Sequence, residues 1–212
     1  MEYSHILWDF NGTILDDVGI CMETINLLLS RRGLATLETR AEYQGHFRFP
    51  IEDYYRSVGF DFQKEPYDLL AHEWVAEYRR REGTAPLCAG ARECLSYIKS
   101  RKIPQILFSA TQRQMLTEQV EALGLTPYFD QILGNDNIYA AGKTALGQAW
   151  MAAEKPKKVL LVGDTEHDAK AAKAMGIDCA LVCCGHQSET TLKATGFPVF
   201  SSLKDWKNHY FK

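Results

Sequence analysis

The sequence predicts an α/β protein with a doubly wound, Rossmann-like parallel-sheet core and an inserted α-helical cap. Three observations carry that prediction. Through the second half of the chain, short apolar runs alternate with amphipathic helical stretches, the rhythm of a parallel sheet covered on both faces. One apolar run, His5-Ile6-Leu7-Trp8, stands alone near the start and ends on Asp9. Between it and the alternating half, apolar residues recur at helical spacing instead.

The elements follow in order. After the first strand comes a small polar turn, Phe10-Asn11-Gly12-Thr13. Val18, Cys21, Met22, Ile25, Leu28 and Leu29 then mark one helical face, stopped by Gly33. Ile51–Val58 reads as a shorter helix before Gly59, and Pro66 opens another with Leu70, Trp74 and Tyr78 along one side. So long a stretch is not a structureless loop in a compact domain. Residues 16–85 are therefore expected to form the cap, and 1–15 with 86–212 the core. In the core, Ile103–Phe108, Phe129–Leu133, Val159–Val162 and Cys179–Cys183 are the expected strands. Gln112–Leu123, Thr144–Ala153 and Glu166–Met175 are the expected helices, the first and last closed by Gly124 and Gly176.

A chain of 212 residues suffices for one large domain or a domain with an insertion. A formal net charge of −3 gives no reason to expect nucleic acid or an anionic membrane as partner. No apolar stretch approaches the ~18–20 residues of a membrane span. The N-terminus does not resemble a secretory signal. Six scattered cysteines read as free thiols in a reducing cytoplasm, the expected location. Adjacent Cys183 and Cys184 with His186 lack the ligand spacing of a zinc site.

Four short sites fall at equivalent places, just past a strand or at a helix start: Asp9, Ser109, Lys143 and Asp164. In a parallel sheet these share the carboxyl edge, where ligands bind in open α/β folds. Asp9, Asp164 and Asp168 together would be costly without a cation among them. Hard oxygen ligands suit magnesium shared with a phosphate. The Ser109 hydroxyl, nearby backbone N–H groups and the Lys143 ammonium are suited to phosphate oxygens. Asp9 could then attack phosphorus, dividing a hard hydrolysis into an aspartyl-phosphate step and a water step. Each piece alone has a plainer reading as turn, cap or solvated side chain; the joint order and spacing is what is specific.

Asp9-Phe10-Asn11-Gly12-Thr13, Leu107-Phe108-Ser109-Ala110-Thr111, Lys143 and Gly163-Asp164-Thr165-Glu166-His167-Asp168 resemble the four ordered motifs of the haloacid dehalogenase superfamily. The resemblance covers essentially the whole chain, and the helical insert is similar to the cap of the phosphoglycolate phosphatase-like branch. It implies a magnesium-dependent phosphatase acting on a small phosphorylated metabolite. Asp9 would be nucleophile and metal ligand, Ser109 would bind the phosphoryl group with Thr13, Ala110 and Thr111 nearby, and Lys143 would stabilise charge. Asp164, the backbone carbonyl of Asn11 and Asp168 would complete the magnesium site, Asp168 holding either the ion or Lys143.

Phosphatases of that family carry an aspartate where Asn11 stands, as acid toward the leaving group and base toward water. An amide cannot donate and reaccept that proton at neutral pH, and such help is commonly worth ~10²–10⁴ in rate. Members that dispense with it include carbon–halogen dehalogenases, phosphonate hydrolases and phosphate-transporting ATPases. The acidic Asp164/Asp168 pair argues against the first. Lys64, the only cap lysine, sits in a polar turn rather than at a Schiff-base site, and membrane segments are missing for the third. A slow phosphatase, or one whose substrate has a good leaving group such as an acyl or enol phosphate, is the expectation. A regulatory protein that only binds a phosphorylated ligand is the alternative. Two further candidates for substrate contact are Arg48, between aromatics in the cap, and His186, past the last buried strand. His167 is expected at the site entrance.

Overall fold

The computed structural model describes residues 3–139 and 143–211. The alternating apolar runs form six strands: β1 (His5–Trp8), β2 (Gln105–Gln112), β3 (Gln131–Asn135), β4 (Val159–Gly163), β5 (Asp178–Val182) and β6 (Val199–Phe200). They lie in the order β3-β2-β1-β4-β5-β6, with every neighbouring pair parallel. The chain therefore steps outward from β1 to one edge, then returns to build the other side from β4. That reversal leaves a crevice at the carboxyl ends of β1 and β4.

Strand side chains alternate between two cores, because successive Cβ atoms point to opposite faces. Ile6, Trp8, Leu107, Leu160, Val162, Ala180 and Val182 enter one. Leu7, Ile106, Phe108, Leu161 and Leu181 enter the other. With both faces buried, the strands read as continuous apolar runs rather than alternating ones.

Four helices occupy the expected insert: α1 (Val18–Arg31), α2 (Arg40–His46), α3 (Ile51–Ser57) and α4 (Tyr67–Arg79). They form the helical cap. The two chain crossings that lead into and out of it run side by side, with Asp16 N–H donating to Pro86 O at 2.8 Å and Cys88 N–H to Ile14 O at 2.8 Å. The sequence reading passes over α2, whose start is a capping box between Thr39 and Glu42. The core helices are α5 (Ala91–Ser100), α6 (Arg113–Ala122), α7 (Lys143–Glu154), α8 (Glu166–Met175), α9 (Glu189–Lys193) and α10 (Leu203–Tyr210). Of these α5, α9 and α10, together with β6, were not anticipated.

Two boundaries differ from expectation for a reason that bears on the site. β2 does not stop at Phe108 but continues to Gln112, which pairs with Asn135 beyond a register shift. The shift falls at Ser109-Ala110-Thr111, bending this segment where it meets the crevice. Gly134 permits the approach, since a Cβ there would lie 2.9 Å from Thr111 O. β3 begins at Gln131 rather than Phe129, Asp130 being used instead to accept the Gln105 N–H at 2.8 Å. Among the described residues no helix is long and apolar enough to cross a membrane, and all six cysteines are free thiols.

Candidate active site

Asp9 is the first residue beyond β1, and its N–H donates to Val162 O at 2.8 Å, which sets it beside the end of β4. Asp164 follows β4 directly. Asp168 lies in the first turn of α8, where its Oδ2 accepts from Thr165 Oγ1 at 2.7 Å and from Thr165 N–H at 3.1 Å. Lys143, at the start of α7, donates to Asp9 Oδ1 at 2.6 Å and Asp168 Oδ1 at 2.5 Å. One oxygen from each of the three carboxylates lies within 4.8 Å of the others. Asp9 is 8%, Asp164 0%, Asp168 1% and Lys143 2% exposed, so water screens none of this charge.

Three carboxylates against one ammonium leave two negative charges uncompensated in a buried space. Burial pushes Asp9 up to about 6 despite Lys143. Burial, and then Asp9 and Asp168, push Asp164 well above the carboxylate range. For Asp168 burial acts in the same direction, but Lys143 outweighs it and holds the group below its ordinary value. Asp164 is thus the member without a cation of its own. Besides facing Asp9, its oxygens accept from Thr13 Oγ1 at 3.2 Å and His186 N–H at 2.7 Å. Gly12 and Gly185 make room for it, since a Cβ at either would lie 2.3 and 1.9 Å from Oδ2. A hard divalent cation fits this donor set by charge and by ligand type. Asp168, with both oxygens engaged by Lys143 and Thr165, is arranged to hold Lys143.

On the other side of Asp9, Ser109 Oγ accepts from Thr111 N–H at 3.1 Å and donates to Thr111 Oγ1 at 3.1 Å. Thr111 Oγ1 donates in turn to Asn11 Oδ1 at 2.9 Å. Asn11 Nδ2 donates to Asp17 Oδ2 at 2.8 Å and lies 3.1 Å from the Tyr78 hydroxyl. Both ends of the amide are therefore bound. Asp17, 1% exposed, also accepts from Gly12 N–H, the Tyr78 hydroxyl and Cys21 Sγ, and contacts His186 Nε2 at 3.2 Å. Burial works against its charge, but His186 and then the donors Asn11 and Tyr78 hold it below its ordinary value. Sequence reasoning missed Asp17 and Tyr78. Asp17 precedes α1 at a position that suggests a helix cap, yet its side chain makes no cap bond and turns toward the site.

These groups open onto a cavity of about 170 Å³ between cap and core. Asp9, Asn11, Ser109, Ala110, Thr111, Lys143, Asp164 and His186 line it, whereas Thr13 and Asp168 lie behind that surface. The His186 ring is itself engaged, by Tyr43 Oη at 2.8 Å, by Asp17, and by stacking on Phe47. His167 also lines the cavity, stacked on Phe49; burial and then Lys143 lower it to about 4. Arg48 is not brought to this site. Its guanidinium is exposed and folds back on the carbonyls of His46 and Gly45 at 2.8 and 3.0 Å, because the loop after α2 turns it to solvent. Phe47 and Phe49 on either side face inward instead.

The strand order, the buried acidic cluster with its lysine, and the helical cap define a family. Residues 6–182 match the model of the haloacid dehalogenase-like hydrolases, and the chain belongs to that family. Among curated proteins, it is 23% identical over 192 residues to a phosphoglycolate phosphatase of Caulobacter vibrioides, covering 87% of this chain and 81% of that protein. It is 24% identical over 209 residues to one of Chromobacterium violaceum, covering 92% of each. A haloacid dehalogenase-like hydrolase from Streptococcus pneumoniae has the same fold, with TM-score 0.83 and 17% identity over 99% of each chain. So does protein tyrosine kinase A of Mycobacterium tuberculosis, at TM-score 0.83 and 17% identity over the full length of both. Proteins named a hydrolase and a kinase thus share this architecture, and the fold alone does not fix the reaction.

Proposed function

We propose that the protein is a magnesium-dependent phosphomonoesterase that works through an aspartyl-phosphate on Asp9. The observation that carries this reading is the buried Asp9–Lys143–Asp168 arrangement with Asp164 left uncompensated beside it. Asp9 and Asp164 side chains, with the Asn11 backbone carbonyl, would hold magnesium, and residues 16–85 would be the cap. When bound, the ion supplies charge neutralisation for the phosphate oxygens.

The chain's own groups divide the remaining work. Lys143 fixes Asp9 Oδ1 and leaves Oδ2 as the less engaged oxygen for attack, its bond from the Thr13 hydroxyl being long at 3.5 Å and that hydroxyl lying closer to Asp164. The Oδ2–phosphorus bond forms as the ester bond to the leaving oxygen breaks. Ser109, its hydroxyl poised by Thr111, and Lys143 would take the charge on the phosphoryl oxygens. Water then releases inorganic phosphate and restores Asp9. Asn11 supplies no proton in either half, so turnover depends on how well the leaving group departs unaided.

The relatives' named substrate, phosphoglycolate, carries a carboxylate as well as a phosphate. Among the described residues that line the cavity, Lys143 is the one lysine or arginine, and two carboxylates already hold it. One observation favours a second reading, a binding protein with weak catalysis: the Asn11 amide is saturated as a fixed structural link. Release of phosphate from acetyl phosphate separates the two. The wild type is expected to turn over with magnesium and to stop with a chelator, and Asp9→Asn is expected to be inactive. Activity persisting in Asp9→Asn would sink the covalent mechanism, and an inert wild type would favour the binding reading.

A further inference from the structure

Beyond the Asp9 end of the cavity, the walls are aromatic. Phe47, Phe49, Tyr67, Trp74, Tyr78 and Met115 are among its lining residues. The rings are held against neighbours before any ligand arrives: Trp74 stacks on Tyr78 with centroids 4.9 Å apart at 18°, and Phe49 on His167 at 4.3 Å and 27°. The Tyr54 hydroxyl, in the same wall, is buried and has no hydrogen-bond partner among the described residues.

From this we infer that the site takes small aryl phosphates, one aromatic ring held by the cap's wall and its phosphoryl group on Asp9. The inference rests on the phosphatase reading above and names its substrate class. Three independent features agree on it. A cavity of about 170 Å³, little larger than the ~150 Å³ apolar cavity that takes up benzene, also has to hold the phosphoryl end, so it limits the substrate to one small ring. Aromatic and thioether walls bind a flat ring by edge and face contacts. Finally, a phenol, with pKa ~10 as in tyrosine, is a far better leaving group than an alkanol, which suits a site whose position-11 amide provides no acid. In the reaction the Asp9 Oδ2–phosphorus bond forms while the aryl oxygen–phosphorus bond breaks. The phenolate leaves with that electron pair and is protonated by solvent. Water then attacks phosphorus, the Oδ2–phosphorus bond breaks, and inorganic phosphate departs.

Binding and turnover test this separately. With magnesium present, calorimetry on the wild type should give phenylphosphonate at least tenfold tighter binding than methylphosphonate or phosphonoacetate. Trp74→Ala and Phe49→Ala should each cut the phenyl-over-methyl preference about tenfold. Equal binding of the three, or tightest binding of phosphonoacetate, overturns the inference. In turnover, phenyl phosphate should exceed benzyl phosphate about 100-fold in kcat, the ring being common and the added methylene turning the leaving phenol into an alkanol. Equal rates on the two overturn the leaving-group argument. If acetyl phosphate and phenyl phosphate are both inert while phenylphosphonate keeps its preference, the phosphatase reading fails and the ring-binding site stands.

Discussion

An amide at position 11 does more than omit a proton, because its Nδ2 donates to a buried carboxylate, Asp17, at 2.8 Å. Replacing Asn11 with aspartate sets carboxyl against carboxyl, and such a pair keeps one proton between them. The new group's folded pKa is then raised above its unfolded value of ~3.9. The unfolded state loses that proton first as pH rises, so the variant's stability falls from about pH 4 upward and levels off above the raised pKa. Asn11→Asp should therefore melt below the wild type at pH 7, and Asn11→Asp with Asp17→Asn should recover part of the loss by exchanging donor and acceptor. The retained proton is also a catalytic acid. Turnover of benzyl phosphate should rise on the order of 10²-fold in Asn11→Asp, toward the usual worth of such help. Equal kcat in wild type and variant would show that proton donation is not what position 11 withholds.

Elements with local signals were legible, and those defined by distant contacts were not. The bounds of α8 come straight from the chain, because Thr165 and Asp168 form its capping box and Gly176 closes it at φ +68°. Three of the four motifs were legible for the same reason, at the end of an apolar run, and Lys143 as the opening of a helix. By contrast, α5 buries Ala91, Cys94, Leu95 and Ile98, an apolar stripe half made of small residues that hides in the sequence. Asp17, Tyr78 and the aromatic wall acquire their meaning only when α4 packs against α1, across a separation of about 60 residues that no local pattern records. The clamp that holds α4 to α1 joins Arg31 to Glu73 and Glu77 at 2.7 and 2.9 Å, while Arg80 and Arg81 also reach Glu77. These guanidiniums, Arg31 first and then Arg81, hold Glu77 down to about 2. Its stabilising effect is in place above the unfolded value of 4.5 and is lost as pH falls from there toward 2. Thermal melts between pH 6 and 3 should show a steeper loss for the wild type than for Glu77→Gln. Parallel curves would mean that the clamp adds nothing to acid stability.

At the scale of the whole molecule, access to the site depends on how the cap is latched to the core. The latch is the loop after β5: Arg40 donates to Cys184 O at 2.6 Å and Gly185 O at 3.2 Å, and Gln44 to Gly185 O at 2.9 Å. Gln187 Nε2 donates back to Phe47 O at 3.2 Å. The same loop supports Asp164 through His186 N–H, so closure of the cap and the arrangement of the acidic cluster share one segment. Arg40 and Gln44 contact backbone carbonyls only at the rim, so removing them loosens the latch without touching the carboxylates. Each such bond has a net worth of about 1 kcal/mol, and removing both side chains should raise the open population at least tenfold. Amide hydrogen exchange in α2 of Arg40→Ala/Gln44→Ala should accelerate by that factor, while exchange in β1 and β4 stays unchanged. Where cap opening limits product release, kcat rises with it, and KM rises because the closed, water-excluding state is less populated. Exchange rates in α2 equal to the wild type's would show that the aromatic packing alone, and not this latch, keeps the cap shut.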